Sequence, residues 1–259
     1  MDEDPVRTDL LIDAAEIDHL VRQGYLLHRR LMSPASVARL RECVRDLAAA
    51  EEGRPEAEWI AHDSIYLRGL LDKNAEFHEL LRLEPVLRLA RTLLGPQVWI
   101  DLEARMHYPG TAGIAVPWHN HIPVVPDPLP VFFCYPHQLH CLIYLDGVSS
   151  DEGALVVLPG SHTRTDLLIP LGDHSDRAGQ VELFFEPGDA VTIHGSLWHR
   201  TAPSTADAKH RTLLLLGYVP SWIRKDAGGQ GVPAREPLTA ALARTGDAEL
   251  RELLGEFHW

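Results

Sequence analysis

The chain has 259 residues, of which 45% are hydrophobic, and its formal net charge at pH 7 is −13. This length can bury a sizeable core, so folding requires neither disulfides nor a structural metal. Acidic residues are spread along the chain, which argues against a nucleic-acid groove because such a groove needs a basic stripe. No apolar run approaches the roughly 18 residues of a membrane span.

The three cysteines, Cys43, Cys134 and Cys141, are an odd number without CxxC spacing. They indicate neither a disulfide framework nor a zinc site. Reduced thiols are typical of the cytosol, and the acidic start of the chain lacks the apolar segment of a signal peptide. We therefore expect a cytoplasmic protein, a monomer or homodimer, that binds neither membrane nor nucleic acid.

The first hundred residues are predicted to be mainly helical. Apolar residues recur at helical spacing from Ile12 to Gly24. Ser33 and Pro34 form an N-cap and first-turn pair that predicts a second helix. A further helical region is expected over 74–94, where Pro85 should separate two short helices because proline does not suit a helix interior.

After residue 97 the pattern changes to short apolar strands separated by Gly, Pro and Asp. The candidate strands are VWIDLEARMHY (98–108), HQLHCLIYLD (137–146), ALVVLPG (154–160), VELFF (181–185), DAVTIH (189–194) and RTLLLLGYVP (211–220). Short strands that follow helices in this way predict an antiparallel barrel or double sheet with helices packed on one side. We expect one domain over 1–259, with a mostly helical part at 1–97, a barrel core at 98–220 and a C-terminal tail and helix at 221–259.

Two segments of the strand half concentrate histidines. VPWHNHIPVV contains His119 and His121, and EPGDAVTIHGSLWHRTAP contains His194 and His199. Alternate residues of an extended strand point to the same side, so His119 and His121 can converge on one ion. A third ligand from a distant strand would complete a facial triad, which leaves positions open for substrate and oxygen.

Four segments, in this order and at this spacing, resemble the phytanoyl-CoA dioxygenase family of iron(II)- and 2-oxoglutarate-dependent oxygenases. They are QGYLLHRRLMSPASVARLREC, YPGTAGIAVPWHNH, LIYLDGVSSDEGALVVLPGSH and PGDAVTIHGSLWHRTAPSTADAKHR. The resemblance extends to about Pro220. It implies a mainly β fold with flanking helices around a double-stranded β-helix (a jelly-roll, cupin-like barrel), with Fe(II) and 2-oxoglutarate as cofactors.

The resemblance assigns roles residue by residue. His119 is similar to the family's first metal-binding histidine and His199 to its distal one. Arg211 resembles the arginine that binds the far carboxylate of 2-oxoglutarate, a role that suits the planar guanidinium fork. Thr201 stands where the family places a hydroxyl that helps to hold the same carboxylate. No catalytic residue is expected beyond the metal site.

His121 departs from the family pattern, which is His-x-Asp or His-x-Glu. Four interpretations remain open. His121 is the third ligand of a three-histidine site, or the carboxylate comes from elsewhere, with Asp127 nearest in sequence. Alternatively, water or halide takes the position, as in related halogenases, or the protein has lost metal chemistry. Neutral imidazole binds iron(II) well, and in place of a carboxylate it raises the net charge of the site by one.

The strand 101–108 alternates charged and apolar residues. If its charged face lines the pocket, Arg105 or His107 contacts substrate. If that face is solvated and forms cross-strand pairs, Met106 and Tyr108 point inward. The position of the Tyr-Pro-Gly turn favours the second interpretation, so Tyr108 and Met106 are the predicted pocket residues of this strand.

Further pocket candidates flank the ligands. Trp118 and Trp198 each precede a predicted ligand, and such bulky residues are expected to form pocket walls. His140 opens a later strand whose face continues inward, which makes it another pocket candidate. His162 is expected to be structural, and His194 is expected to support the site from behind the ligands.

The insert IPVVPDPLPVFFCYPH (122–137) contains five prolines and few charges. A stiff apolar loop directly after the metal pair suits a lid that determines substrate choice. A loop that only shields the site from solvent is the alternative.

The predicted function is oxidation, most simply hydroxylation, of a small organic molecule by O2 with Fe(II) and 2-oxoglutarate. Desaturation, cyclisation and halogenation use similar sites, and a role in natural-product biosynthesis is conceivable. One alternative is a cupin-like three-histidine oxygenase or isomerase without 2-oxoglutarate. Another is a non-catalytic binding protein on the same fold.

Overall fold

Helices and strands alternate in the first part of the chain and give way to strands after residue 97. The computed structural model describes residues 12–53, 58–61, 64–121, 136–164, 166–223 and 237–257. The helices are α1 (Ala14–Gln23), α2 (Pro34–Glu51), α3 (Leu70–Lys73), a 3-10 helix (Ala75–Arg82), α4 (Glu84–Leu94), a short 3-10 turn (Ser161–Thr163), α5 (Pro237–Ala243) and α6 (Ala248–Leu253). The strands are β1 (Tyr25–His28), β2 (Glu58–Ala61), β3 (Ser64–Leu67), β4 (Val98–His107), β5 (Val116–His119), β6 (Leu139–Tyr144), β7 (Leu155–Val157), β8 (Val181–Leu183), β9 (Ala190–His194), β10 (His199–Thr201) and β11 (Arg211–Pro220).

The first two helices begin and end where their sequence signals predict. The Asp13 side chain accepts a hydrogen bond from the Glu16 amide, and the Glu16 side chain accepts one from the Asp13 amide. Gly24 ends α1 at a φ of 85°, a left-handed conformation that glycine adopts without strain. Ser33 caps α2 by accepting a hydrogen bond from the Ser36 amide at 3.1 Å.

Two antiparallel sheets face each other. The large sheet has the strand order β1-β9-β6-β11-β4-β3-β2, and the small sheet has the order β5-β10-β7-β8. The longest pairing joins β4 to β11 over ten residues each, from His107 opposite Arg211 to Val98 opposite Pro220. Because side chains alternate along a strand, this register determines which residues share each face of the large sheet.

The main hydrophobic core lies between the large sheet and the helices. Leu102, Ala104 and Met106 of β4 are at most 3% exposed and belong to this core. Leu40 and Val44 of α2 are fully buried in the same cluster. The opposite face of β4 therefore carries Asp101, Glu103, Arg105 and His107 toward the small sheet.

A second apolar cluster fills the space between the two sheets. Its buried members are Leu142, Tyr144, Val148, Leu155, Val157, Leu183, Phe185, Val191, Ile193, Leu197 and Leu213. These residues come from both sheets, so they form the interior of the barrel.

The predicted fold, a mainly β barrel with helices on one side, is confirmed. A short strand was expected directly after Gly24, where β1 lies, but the first hundred residues are less helical than expected because β2 and β3 also extend the large sheet. β2 and β3 have four residues each, too few for a clear alternation in the sequence. No helix in the part of the chain that the structure describes is long and apolar enough to cross a membrane. Most of the predicted lid, with Asp127 and Cys134, lies outside the described residues.

Candidate metal centre

Two paired strands of the small sheet bring the predicted ligands together. His119 at the end of β5 lies directly opposite His199 at the start of β10. The backbone of His121 continues past β5, and its amide donates a 2.7 Å hydrogen bond to the Gly195 carbonyl. Main-chain pairing alone thus brings His119 and His121 next to the segment 195–199, about eighty positions later in the sequence.

The three imidazoles of His119, His121 and His199 converge on one point. Each offers a ring nitrogen, and these three atoms all lie within 4.8 Å of one another. Nε2 of His121 and Nε2 of His199 are 3.2 Å apart. Among the described residues this is the only group of three or more His, Cys, Asp or Glu side chains that could hold a metal ion.

Backbone carbonyls orient two of the rings. Nδ1 of His119 is 2.9 Å from the Pro117 carbonyl oxygen, and Nδ1 of His199 is 2.9 Å from the Leu197 carbonyl oxygen. A ring that donates its Nδ1 proton to a carbonyl presents Nε2 as an acceptor, and this tautomer binds metals. The main chain therefore sets both rings in the orientation that ligation requires.

Burial keeps the three imidazoles in the neutral form. It lowers the pKa of His119 below its usual value, and it lowers the pKa values of His121 and His199 further. The charged form is disfavoured because it loses its hydration. Three neutral nitrogen donors fit a divalent first-row metal such as Fe(II).

A fourth histidine lies against the cluster. The ring of His140 on β6 is stacked on that of His121, with centroids 4.1 Å apart. Neither ring nitrogen of His140 has a hydrogen-bond partner in the described structure, and burial lowers its pKa to about 4. The ring also packs against Gly217 of β11, where a Cβ would lie 3.6 Å from it, an ordinary contact distance. His140 thus lines the metal centre.

Arg211, at the start of β11, is held by two backbone carbonyls and one histidine. Its Nη1 donates to the carbonyl oxygens of Glu152 and Gly153 at 3.1 and 2.5 Å. Its Nη2 lies 2.9 Å from Nε2 of His107. Nε is buried without a partner among the described residues. His107 engages Nη2 through one of its two protons, so the Nε proton and the second Nη2 proton remain for a carboxylate, whose oxygens can accept both.

Gly153 makes this arrangement of Arg211 possible. Its φ is 83°, and a Cβ at this position would lie 2.4 Å from the Ala202 carbonyl oxygen and 3.3 Å from Nη1 of Arg211. A larger residue would displace the guanidinium. Thr201 shares the face of β10 that carries His199, where it is paired with Leu155 of the barrel interior.

The predicted pocket residues occupy different places. Met106 lies in the core under the helices, on the face of β4 opposite to Arg105. Tyr108 is partly buried against the same core. Trp118 and Trp198 both belong to a cluster with Val156 and Ile169 on the outer face of the small sheet. Of the five candidates, the structure brings only His140 into contact with the histidine cluster.

Sequence reasoning gave too little weight to Arg105 and His107. Both lie on the barrel side of β4, and His107 is only 4% exposed. Charged and apolar residues alternate along 101–108 in the sequence, but this pattern does not show which face of the strand packs against helices and which lines the barrel. The rings of His194 and His162 contact each other, with centroids 4.8 Å apart. The group of side chains that could hold a metal ion includes neither of them.

The sequence model of phytanoyl-CoA dioxygenase (PhyH) matches residues 20–212. The chain belongs to the phytanoyl-CoA dioxygenase family. It is 25% identical over 250 residues to dioxygenase af480 of Aspergillus fumigatus, covering 93% of this chain and 76% of that protein. It is also 25% identical over 233 residues to L-proline trans-4-hydroxylase of Streptomyces griseoviridis, covering 76% of this chain and 82% of that protein.

Solved structures share the fold at low sequence identity. HygX from Streptomyces hygroscopicus, with nickel and 2-oxoglutarate bound, superimposes with a TM-score of 0.65 at 15% identity, covering 82% of this chain and 89% of that one. The non-heme alpha-ketoglutarate-dependent epimerase SnoN from nogalamycin biosynthesis gives a TM-score of 0.64 at 19% identity, covering 86% and 90%. Membership of the family confirms the expected class of enzyme, an Fe(II)- and 2-oxoglutarate-dependent dioxygenase, and the donor set described above fits both cofactors.

Proposed function

We propose that this dioxygenase oxidises, most simply by hydroxylation, a small organic molecule at an iron held by His119, His121 and His199. The observation that carries the proposal is the convergence of the three imidazoles within 4.8 Å at the rim of the barrel. The family match covers the helical part and most of the strands, which supports a single oxygenase domain over 1–259.

His121 is proposed as the third ligand in place of the usual carboxylate. The Nε2 atoms of His121 and His199 lie 3.2 Å apart. Both atoms can therefore bind one metal ion placed between the two rings. His140 stacks behind His121 and fixes the plane of its ring. A carboxylate supplied by Asp127 remains the competing possibility, and the variants below distinguish the two.

Arg211 and Thr201 are proposed to bind the far carboxylate of 2-oxoglutarate. The anchored guanidinium keeps an unpartnered Nε among the described residues and a second Nη2 proton for this contact. A metal held by His119, His121 and His199, with 2-oxoglutarate held by Arg211, would supply the oxidation of 2-oxoglutarate by O2 to succinate and carbon dioxide, in which one oxygen atom enters succinate and the other is left to oxidise the substrate. The chain orients the cosubstrate and excludes water through the apolar interior that includes Leu142, Leu155 and Leu213.

The substrate is proposed to be a small molecule of the kind made or modified in natural-product biosynthesis. Support comes from the relatives: one hydroxylates L-proline, and one structural neighbour is an epimerase from nogalamycin biosynthesis. The second case shows that this fold also serves outcomes other than hydroxylation.

Anaerobic titration with Fe(II) and 2-oxoglutarate tests the proposal. We expect wild type to develop the visible metal-to-ligand charge-transfer band of a chelated 2-oxoglutarate. His121→Ala should weaken Fe(II) binding by about tenfold or more, because one of three ligands is lost. His19→Ala, at an exposed histidine of α1, is the matched control. A wild-type protein without the band would refute the assignment, and unchanged Fe(II) binding in His121→Ala would remove His121 from the ligand set.

A cupin-like oxygenase without 2-oxoglutarate is the second candidate, because the ligand set is entirely histidine. Arg211→Ala distinguishes the two functions. In a 2-oxoglutarate enzyme this variant should weaken 2-oxoglutarate binding by about tenfold to a hundredfold, because a charge-assisted bidentate contact is lost. In a cupin-like enzyme, or in a non-catalytic binding protein, metal binding and ligand affinity should not depend on Arg211.

A further inference from the structure

A second arginine faces the barrel interior beside the metal centre. Arg105 lies on β4, opposite Leu213 of β11 and Tyr66 of β3. Its neighbours Ala104 and Met106 point into the core under the helices. By strand alternation, Arg105 therefore points toward the small sheet, which carries the three histidines.

Arg105 has no counter-ion among the described residues. Its Nε and Nη2 are buried and make no hydrogen bond. A buried guanidinium without partners is costly, because it gives up hydration and receives nothing in exchange. The other arginines that line buried positions differ: Arg211 donates to two carbonyls, and Arg41 donates to the Leu145 carbonyl and pairs with Asp146 at 2.9 Å.

The charged group that acts on the pKa of Arg105 is another arginine, Arg211, while two carboxylates, Asp101 and Glu103, share its face of β4. Its charge and that of Arg211 oppose each other, and burial with this repulsion lowers the pKa of Arg105 to about 10, so it stays protonated at neutral pH. Burial, and to a smaller extent the charge of Arg105, lowers the pKa values of His107 and His119. Glu103, on the same face, is already engaged by Tyr66 and lies 4.0 Å from Arg68.

The charge balance of the loaded site leaves Arg105 unpaired. A divalent metal and dianionic 2-oxoglutarate cancel each other. A carboxylate ligand at position 121 would add a negative charge, but the imidazole of His121 does not. One positive charge more than in a His-x-Asp site therefore remains, on the same side of the large sheet as a guanidinium whose buried Nε and Nη2 have no partner among the described residues.

We propose that Arg105 is the residue that binds an anionic group of the primary substrate, so that the substrate is a carboxylate-bearing small molecule. This rests on the proposed function of the three-histidine site. The guanidinium edge matches a carboxylate in shape and forms two parallel hydrogen bonds with it. The anchored carboxylate also fixes which carbon of the substrate lies near the metal, so Arg105 determines the site of oxidation.

A singly charged carboxylate fits better than a polyphosphate. The chain carries a net charge of −13, which repels highly charged anions on approach. One fork with two unpartnered nitrogens satisfies one carboxylate. The carboxylate of 2-oxoglutarate that lies next to the metal is the other group that Arg105 could bind. The experiment below distinguishes a substrate carboxylate from this cosubstrate carboxylate.

The test measures acetate binding to protein loaded with Ni(II) and saturating 2-oxoglutarate, which prevents turnover. Thermal stability is followed during titration with acetate, against chloride at equal ionic strength and against neutral acetamide. We expect acetate alone to stabilise wild type. Arg105→Met should weaken acetate binding by about tenfold or more, because charge-assisted hydrogen bonds are lost. The affinity for 2-oxoglutarate should change less than about threefold.

Two controls keep the result interpretable. Arg41→Met removes a paired arginine outside the barrel and should leave the acetate response unchanged. Arg105→Lys keeps the positive charge but loses the planar guanidinium, so it should retain part of the stabilisation by acetate. This variant also tests the proposal if Arg105→Met does not fold.

Three results would overturn the inference. Acetate that stabilises wild type no more than chloride would mean that no anion site exists. An acetate response retained in Arg105→Met would place the site elsewhere. A tenfold loss of 2-oxoglutarate affinity in Arg105→Met would assign the arginine to the cosubstrate. If 2-oxoglutarate does not stabilise the metal-loaded wild type, the proposed function fails. The acetate titration of the metal-loaded protein without 2-oxoglutarate then tests separately whether Arg105 binds a carboxylate.

Discussion

At the scale of single residues, the ligand at position 121 distinguishes this chain from the pattern of its family. A neutral imidazole provides a nitrogen donor without the charge of a carboxylate. The stacked His140 ring restricts its motion, and the backbone amide of His121 is itself held by Gly195. The position is therefore fixed by several contacts and is not an exposed histidine that only lies near the site.

His121→Asp should give a functional metal site with the family's usual charge. We expect Fe(II) to bind at least as tightly as in wild type, because a carboxylate adds an attractive charge. Binding of acetate in the acetate titration should weaken, since the site becomes one unit less positive. Both affinities can be measured on the same protein by anaerobic titration. Fe(II) affinity as low as that of His121→Ala would contradict the geometry proposed for this position.

His107 is a positioning residue for Arg211. Its Nε2 accepts from Nη2 at 2.9 Å, and burial keeps its pKa far below the usual value, so it remains an acceptor. His107→Leu should weaken 2-oxoglutarate binding by about threefold to tenfold through loss of this orientation. His107→Gln, whose side-chain oxygen can still accept, should recover most of the affinity. Equal losses in both variants would indicate a purely steric role.

At the scale of elements, β1 is attached to the large sheet next to β9, and one polar pair is buried between them. Nε2 of His28 is 2.8 Å from the Thr192 hydroxyl, and the two strands pair over four residues each. Burial lowers the pKa of His28 to about 4. The edge of the sheet is thus sensitive to acid.

The stability of the fold should decrease as the pH falls through this window. The unfolded chain binds a proton at His28 near pH 6.5, while the folded chain does so only near pH 4, so unfolding takes up a proton between these values. The loss attributable to His28 is about 3 kcal/mol once the pH is below about 4. His28→Gln should flatten the profile measured by urea unfolding between pH 7 and pH 4. Parallel profiles for wild type and variant would show that His28 does not contribute.

Sequence patterns at this scale predicted most strands but not the direction of their faces. β4 illustrates the reason. Its apolar residues are buried as expected, but against helices, while Arg105 and His107 line the barrel. A sheet with helices on one side and a second sheet on the other has two buried faces, and hydrophobicity alone identifies only the more apolar one. The metal pair was predictable because its spacing and the distal histidine are local motifs.

The contact of His140 with the metal centre and the anchoring of Arg211 depend on register, which the sequence did not reveal. Gly217 lies opposite His140 on one side and Asp101 on the other. His107 meets Arg211 for the same reason, since the two are paired across β4 and β11. A shift of one residue in this pairing would reverse both faces. Such long-range pairing leaves no trace in a single sequence.

At the scale of the whole molecule, an ionic network joins the C-terminal helices to the helical layer. Arg82 contacts Asp247, and it pairs with Glu249 at 2.7 Å. Arg91 also pairs with Glu249 at 2.7 Å, and with Glu252 at 3.1 Å. Glu249 therefore links two arginines that come from different helices, and α6 adds Leu253 to the main core.

Glu249→Gln should lower the free energy of unfolding by about 1 kcal/mol, since its partners are partly exposed and such networks are modest in strength. The difference from wild type should shrink as salt is added, because exposed charges are screened. Urea unfolding at low and high ionic strength measures both effects. Arg164→Gln, at an exposed pair with Asp166, is a control expected to change stability little. A salt-independent loss would mean that packing, not charge, attaches α6.

Trp118 gives the molecule a built-in optical signal. It follows Pro117 and precedes His119, yet its indole lies on the outer face of the small sheet, donating a 2.8 Å hydrogen bond to the Ser175 carbonyl under the guanidinium of Arg200. Transition-metal ions quench indole emission over short distances. Metal loading can therefore be followed by the fluorescence of Trp118 and of Trp198, which packs in the same cluster and precedes His199. Trp118→Phe should reduce the metal-dependent quenching while leaving the three histidines in place, and unchanged quenching would assign the signal to other tryptophans.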